Sequence, residues 1–385
     1  MENKLNPSVL GIPEPASVAI ADKVRRYMRE GISVAQMQTG DPFFPTPAYI
    51  IEGAREAMEK GQTHYSTSQG IIELREQLAI QYKESYAKEF SPSQIFIGSG
   101  AIHAIFCVMS AILEPGDEVI IPEPLWPQYQ YTGILLGANV KTVDTSENNA
   151  RFTPAMLEQT ITPKTKLLII NNPCNPSGIV YGKEEIEAFL EIAAQKNVFV
   201  LFDEVYNNIV FTHDYCPVFR ASNYEQYKDV VIYVNSFSKT YAMSGWRVGY
   251  AILPPSLVSS VLKVSQLSVT NTNTFCQYGA LIALKKRKEH EILFTQFNQV
   301  YRQRYEELKS LLDTKGISYI QPGGTFYFFI QCPIPSVQFS IDLLETQRIA
   351  VVPGIAYGEH FDHYYRISYA VDEKSYEIFL NRGIL

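Results

Sequence analysis

The chain has 385 residues, beyond the roughly 250–300 at which a single hydrophobic core stops growing, so a large unit plus a smaller one is expected. Hydrophobic residues make up 46% and charged residues 19%, a globular composition that excludes extensive disorder. With 33 basic against 40 acidic side chains the formal charge is −7. No long basic run invites nucleic acid or an anionic membrane, and small molecules are the expected partners.

The N-terminal stretch carries Glu2, Pro7, Pro13 and Glu14 in place of the apolar core of a signal peptide, and no later run has the length to span a bilayer. Cys107, Cys174, Cys216, Cys276 and Cys332 are dispersed, without the close pairing of zinc ligands or a redox dithiol, and read as reduced thiols. A soluble, cytoplasmic protein is therefore expected. From Ser17 to Glu30 apolar residues recur at helical spacing, until TGDPFFPTP (Thr39 to Pro47) breaks the pattern as a loop entering a domain.

Beyond that loop β-rich runs alternate with helical segments: QIFIG, a helix from about Ala101 to Leu113, DEVIIPE, a helix after Trp126, NVKTV, KLLIINN, a helix from Lys183 to Gln195, VFVLFDE, VVIYVNSF and RVGYAIL. Near-continuous apolar strands between helices predict a mostly parallel sheet covered on both faces, which binds ligands at the carboxyl ends of its strands. Past about Pro255 long helical stretches rich in Lys, Glu, Gln and Arg run to about Leu312. The tail then gives ISYI, GGTFYFFI, a helix near Ile341, IAVVPG, YYRISYA and a last helix from Asp372, a compact α+β unit. There is no internal repeat.

Chemistry concentrates at the strand ends. VFVLFDE leaves Asp203 after a buried run, where a carboxylate needs a cationic partner or serves as a cap, and Tyr206 is close enough to share its site. In NNPCNPSG (Asn171 to Gly178) Asn175 stands just outside a strand, although turn formation alone also accounts for such a segment. GSGAIHAI (Gly98 to Ile105) opens a helix and predicts unpaired N–H groups at Gly100, Ala101 and Ile102, a place for an anion or a plain tight turn. Lys239 follows VVIYVNSF. An amine in apolar surroundings becomes a nucleophile towards carbonyls, whereas a surface lysine would snorkel; Ser236 and Arg247 flank it with groups suited to phosphate.

The segment SFSKTYAMSGWRVGY resembles the cofactor-lysine segment of class I aminotransferases, which are fold type I pyridoxal 5′-phosphate (PLP) enzymes. TGDPFFPTP, HYSTSQGIIELREQLA, EPGDEVIIPEPLWPQY, NNPCNPSGIVY, FDEVY, GGTFYFF and VVPGIAYGE each resemble that family's segments in the expected order, over nearly the whole chain. The resemblance implies an α/β fold: a three-layer large domain with a mostly parallel central sheet, plus a smaller α+β domain. It divides the chain into an N-terminal arm with part of the small domain (1–44), a large PLP-binding domain (45–285) and a small C-terminal domain (286–385).

It further implies that Lys239 carries the cofactor as a Schiff base and then shuttles a proton, that Asp203 pairs with the pyridine nitrogen, and that Asn175 and Tyr206 bond the phenolic oxygen. Trp126 would stack on the ring; Gly100, Ala101, Ile102, Ser236, Ser238 and Arg247 would hold the phosphate. Tyr65 would reach the phosphate in a neighbouring subunit, implying a homodimer with shared active sites. Arg366 would grip the substrate carboxylate, helped by Asn175 and the backbone of Gly40. No metal is implied.

One departure bears on substrate. In the aspartate-using bacterial branch a GGK-type loop offers a lysine for the distal carboxylate, whereas Ile102 stands at the matching position here. Neutral or aromatic amino acids are therefore expected over aspartate. His103 beside it offers a replacement polar contact, although a plain helix-surface histidine accounts for it more simply. The alternative reaction on the same cofactor is that of a lyase or cyclase, such as a C–S β-lyase or an aminocyclopropane carboxylate synthase. A non-catalytic sensor domain is set aside because only a short stretch precedes Thr39, with no room for a DNA-binding module.

Overall fold

The computed structural model describes residues 5–14 and 17–382. Glu2 and the outermost residues of the expected arm and C-terminal domain (1–4, 15–16 and 383–385) lie outside the described residues. In chain order the strands are β1 (Ala35–Gln36), β2 (Ile95–Gly98), β3 (Glu118–Pro122), β4 (Asn139–Val143), β5 (Thr165–Asn171), β6 (Phe199–Asp203), β7 (Val231–Ser236), β8 (Gly249–Ile252), β9 (Tyr319–Ile320), β10 (Tyr327–Gln331), β11 (Ile349–Ala350), β12 (Val352–Pro353) and β13 (Tyr364–Ser368).

Seven of them form one sheet in the order β2-β8-β7-β6-β5-β3-β4. Only β8 runs against its neighbours, so the sheet is mostly parallel, as the unbroken apolar runs predict. Successive side chains of a strand face opposite ways, and the sheet's two cores follow that alternation. Val200, Phe202, Val231 and Tyr233 join a core with Leu74, Leu78 and Phe189 from helices Ile72–Tyr86 and Lys183–Gln195. Leu201, Ile232 and Val234 join the other core, with Val108 and Val261 from helices Ala101–Ile112 and Pro255–Ser268. Helices on both faces of a central sheet give three layers.

A second, antiparallel sheet runs β12-β13-β10-β9. Its core takes Tyr301, Leu308 and Leu312 from the helix Arg287–Lys315, Phe339 and Leu343 from Ser336–Gln347, and Tyr376 and Phe379 from Glu373–Arg382. The apolar run IAVVPG, which reads as one strand, is divided: Ile349–Ala350 pairs in parallel with β1, while Val352–Pro353 pairs with β13. A strand buried on both faces carries no alternation to mark such a hand-over.

Register places the chemistry. Asn171 of β5 is opposite Asp203 of β6, Asp203 is opposite Val234 of β7, and Ser236 is opposite Gly249 of β8. The carboxyl ends of β5, β6 and β7 therefore open onto one crevice.

Candidate active site

A cavity of about 380 Å³ lies at those strand ends. It is lined by Gly40, Ala101, Ile102, Trp126, Asn175, Asp203, Tyr206, Ser236, Ser238, Lys239, Arg247 and Arg366, so twelve of the fourteen residues singled out in the sequence meet there. Gly100 and Tyr65 are absent from its wall. Tyr65 is 86% exposed, on the outside of its own chain.

Lys239 sits in the single helical turn Phe237–Thr240 that follows β7. Ser236, extended at φ −153°, caps that turn by accepting the Ser238 N–H at 2.8 Å. The Lys239 ammonium donates to the Gly40 carbonyl at 2.6 Å and lies 5.8 Å from the centres of the Tyr206 and Phe326 rings. Burial lowers its pKa to about 8; Asp41 opposes that shift, and the Arg366 and Arg247 charges add to it. The loop carrying Gly40 is tied to the lysine's neighbourhood by Ser244 Oγ donating to Asp41 at 2.8 Å and by the Trp246 indole donating to Thr46 at 3.0 Å.

Asp203 is 2% exposed. Its carboxylate accepts the Tyr129 hydroxyl at 2.6 Å and the Val205 N–H at 3.2 Å, and among the described residues no cation pairs with it. Burial raises its pKa to about 6 against those two bonds and the Lys239 charge. A buried carboxylate held by a phenol and an amide but lacking a counter-charge is open to a cationic group entering the crevice.

At another edge of the cavity the helix Ala101–Ile112 begins without a side-chain cap, leaving the Ala101 and Ile102 amides free. The expectation for Gly100 is corrected: its N–H donates to the Gly98 carbonyl at 2.8 Å and is not available to an anion. Gly100 serves by lacking a side chain, since a Cβ there would lie 2.3 Å from an Arg247 guanidinium nitrogen. Arg247 adopts the left-handed region, φ 55°, unusual for a non-glycine residue, and donates to the Ser244 carbonyl at 2.8 Å. His103 is also corrected. It is half-buried, with Nδ1 accepting the Ser99 N–H at 3.1 Å and Nε2 2.9 Å from Ser268 Oγ, which holds the loop before the helix.

Arg366, 6% exposed on β13, donates to the Asn175 side-chain oxygen at 3.1 Å and to the Gln38 carbonyl at 2.6 Å. Its Nε–H has no acceptor, and its guanidinium lies 4.2 Å from the centre of the Tyr327 ring. Among the described residues no carboxylate neutralises Arg366 or Arg247. Tyr129, Asn171, Val205, Ser244 and Tyr327 complete the wall without having been singled out in the sequence. Asn171 accepts the Asn175 N–H at 2.7 Å, and Tyr327 shares a 2.8 Å hydrogen bond with Tyr206.

PLP fits these residues. Free helix amides and Arg247 suit its phosphate, Asp203 suits a protonated pyridine nitrogen, Trp126 offers a ring face, and Lys239 an amine of lowered basicity.

A fold type I PLP enzyme is the class that this sheet and this crevice together define. Comparison with known proteins takes the assignment further: the family described as aminotransferase class I and II matches residues 32–382, and the chain belongs to it. An aspartate aminotransferase of Thermotoga maritima is 34% identical over 348 residues, 90% of each chain. The aspartate/prephenate aminotransferase of Thermus thermophilus is 32% identical over 98% of this chain and 97% of its own. The crystal structure of a Thermotoga maritima aspartate aminotransferase superposes with a TM-score of 0.91 at 32% identity, covering 98% of both chains. The protein is a PLP-dependent aminotransferase acting on amino acids and 2-oxo acids. Among the described residues no helix is long and apolar enough to cross a membrane.

Proposed function

We propose that this aminotransferase takes L-amino acids with neutral or aromatic side chains, and that Arg366 receives their α-carboxylate. The observation that carries this reading is the buried Arg366 guanidinium, positively charged at any working pH and without an acidic partner, facing the same cavity as Lys239. Once Arg366, Arg247 and Lys239 are assigned, the cavity wall contributed by this chain holds no further cation for a second carboxylate. Ile102, 38% exposed, is apolar where a distal carboxylate would need a counter-charge.

Bound PLP supplies an aldehyde that takes up the amino group and a ring that accepts electrons as the bond to the Cα proton breaks. Lys239 holds the cofactor at rest and, once released, moves a proton from the substrate Cα, its lowered basicity suiting it to both taking and returning that proton. Asp203 keeps the pyridine nitrogen protonated, and Tyr129 aims the Asp203 carboxylate. Asn175 steadies Arg366 through its side-chain oxygen, which leaves its NH₂ group to donate to the cofactor's phenolic oxygen, a role it would share with Tyr206. Arg247, Ser236, Ser238 and the Ala101 and Ile102 amides take the phosphate.

The same reading divides the chain into an arm (1–44), a large cofactor-binding domain (45–285) and a small domain (286–385), a division supported by the separate seven-stranded and four-stranded sheets. It also makes the enzyme a homodimer in which Tyr65 serves the neighbouring site, supported by that side chain's exposure.

Purified holoenzyme assayed against the twenty amino acids, with 2-oxoglutarate and pyruvate as acceptors, tests the proposal. Neutral or aromatic donors should lead aspartate in kcat/KM; aspartate leading would overturn the side-chain assignment. Pyruvate and ammonia released from a single substrate would instead favour the lyase.

A further inference from the structure

Lys239 rides on one helical turn, and a turn of four residues has little rigidity of its own. The structure holds the far end of that turn from outside. The Thr240 carbonyl, one residue past the lysine, lies 2.9 Å from His290 Nε2, and His290 Nδ1 lies 2.9 Å from the Tyr49 hydroxyl. A carbonyl only accepts, so Nε2 carries the proton, and the bare Nδ1 accepts from Tyr49. His290 is 2% exposed, and its ring packs on Tyr241 with centroids 4.1 Å apart. Burial depresses its pKa to about 4, so the neutral ring that this arrangement needs is present at any ordinary working pH.

The side chain of the same threonine is held as well. Asn208 donates to Thr240 Oγ1 at 3.0 Å, and the Asn208 carbonyl accepts from Asn298 at 3.1 Å. His290 and Asn298 both belong to the helix Arg287–Lys315, whose later turns are packed into the core of the antiparallel sheet. One long helix thus reaches the lysine's turn at one end and the sheet that carries Arg366 at the other.

We propose that His290 is a positioning residue for Lys239, fixing the carboxyl end of its turn through the Thr240 carbonyl and tying the turn to the helix Arg287–Lys315. The inference rests on the assignment of Lys239 as the reacting amine. His290 touches neither Arg366 nor its partners, so its loss should be felt in the chemical step and not in substrate capture.

The test uses holoenzyme carrying His290→Phe, His290→Asn or His290→Gln. A glutamine amide can occupy the place of Nε2 and donate to Thr240, an asparagine can serve only Tyr49, and phenylalanine serves neither. Phe and Asn are expected to lower kcat about tenfold, the factor that one lost hydrogen bond yields when felt in the barrier. KM for the amino acid should stay within about twofold. The pH midpoint of the cofactor's absorbance should move by roughly half a unit, and Gln should restore most of both kcat and midpoint.

A Phe variant with wild-type kcat and midpoint would overturn the inference. So would equal losses in all three variants, which would mark His290 as bulk packing, or a rise in KM matching the fall in kcat. Lys239→Ala separates this from the reading beneath it. If that variant still holds cofactor through a borohydride-reducible link, the lysine assignment itself fails; if the link is lost and His290→Phe behaves as wild type, only the His290 inference fails.

Discussion

Substituting Arg366 by leucine or lysine puts the substrate assignment to a quantitative test. A guanidinium has five N–H donors, and in this structure one is given to Asn175 and one to Gln38, leaving three (five less two), among them the unpartnered Nε–H. Two of these suffice for a carboxylate gripped in a fork. Hydrogen bonds between charged groups contribute about 1.5–3 kcal/mol each, so losing both in Arg366→Leu should cost about 3–6 kcal/mol, or roughly 10²–10⁴ in kcat/KM. Arg366→Lys keeps a charge but offers no fork, and a loss of about 10–100-fold is expected. The assay compares an amino acid with the primary amine that lacks only its carboxylate, while cofactor affinity is followed by absorbance. The amine should be indifferent to both substitutions, and cofactor affinity should hold within about twofold, because the groups assigned to the phosphate are other residues of the cavity wall. Equal losses on amine and amino acid, or release of cofactor in step with activity, would refute the assignment.

Three further tests address other parts of the crevice. In the cofactor-free protein burial pushes the Asp203 carboxyl up from an ordinary 3.8 to about 6. A carboxyl raised in this way contributes stability that is full below the unfolded value and is lost as pH climbs through the folded one, so thermal stability should fall across roughly pH 4 to 7 at this site. Asp203→Asn should remove that part of the slope; identical melting profiles in wild type and variant would contradict it. Tyr129→Phe deletes the 2.6 Å bond to Asp203 and should lower kcat about tenfold or more with little change in KM, and steady-state kinetics with KM alone altered would count against it. Ile102→Lys should raise kcat/KM for aspartate relative to a neutral amino acid by about 10²-fold; an unchanged ratio would show that residue 102 does not face the substrate side chain.

Much of this site was legible because a sheet of this kind displays its chemistry at the ends of apolar runs. Asp203 and Ser236 terminate such runs, and Lys239 and Asn175 follow them by a few residues, so their positions can be read from hydropathy and the ordered segments alone. Tyr129 was not legible. It lies within the helix Pro127–Leu135 among ordinary core positions, and its significance comes from meeting Asp203 across 74 positions in the chain. Tyr327 was hidden likewise, as one aromatic in GGTFYFFI, until β10 placed its hydroxyl against Tyr206. The Gly100 amide was misjudged because sequence says that a helix starts there but not that the preceding turn folds back on Gly98. The helices Ala48–Glu59 and Ile72–Tyr86 are not read from the sequence, and the latter ends on a left-handed alanine that no glycine announces.

The paired rows Asn171 to Asp203 and Ser236 to Gly249 set how freely this scaffold can drift. Inserting or deleting a residue inside β5, β6 or β7 would turn every later side chain of that strand to the opposite face and scatter the catalytic groups, so length changes should accumulate in the connections and spare the ladder. Residue 102 belongs to no such row. At 38% exposure its side chain stands clear of the ladder, so a substitution there would leave the paired rows in register.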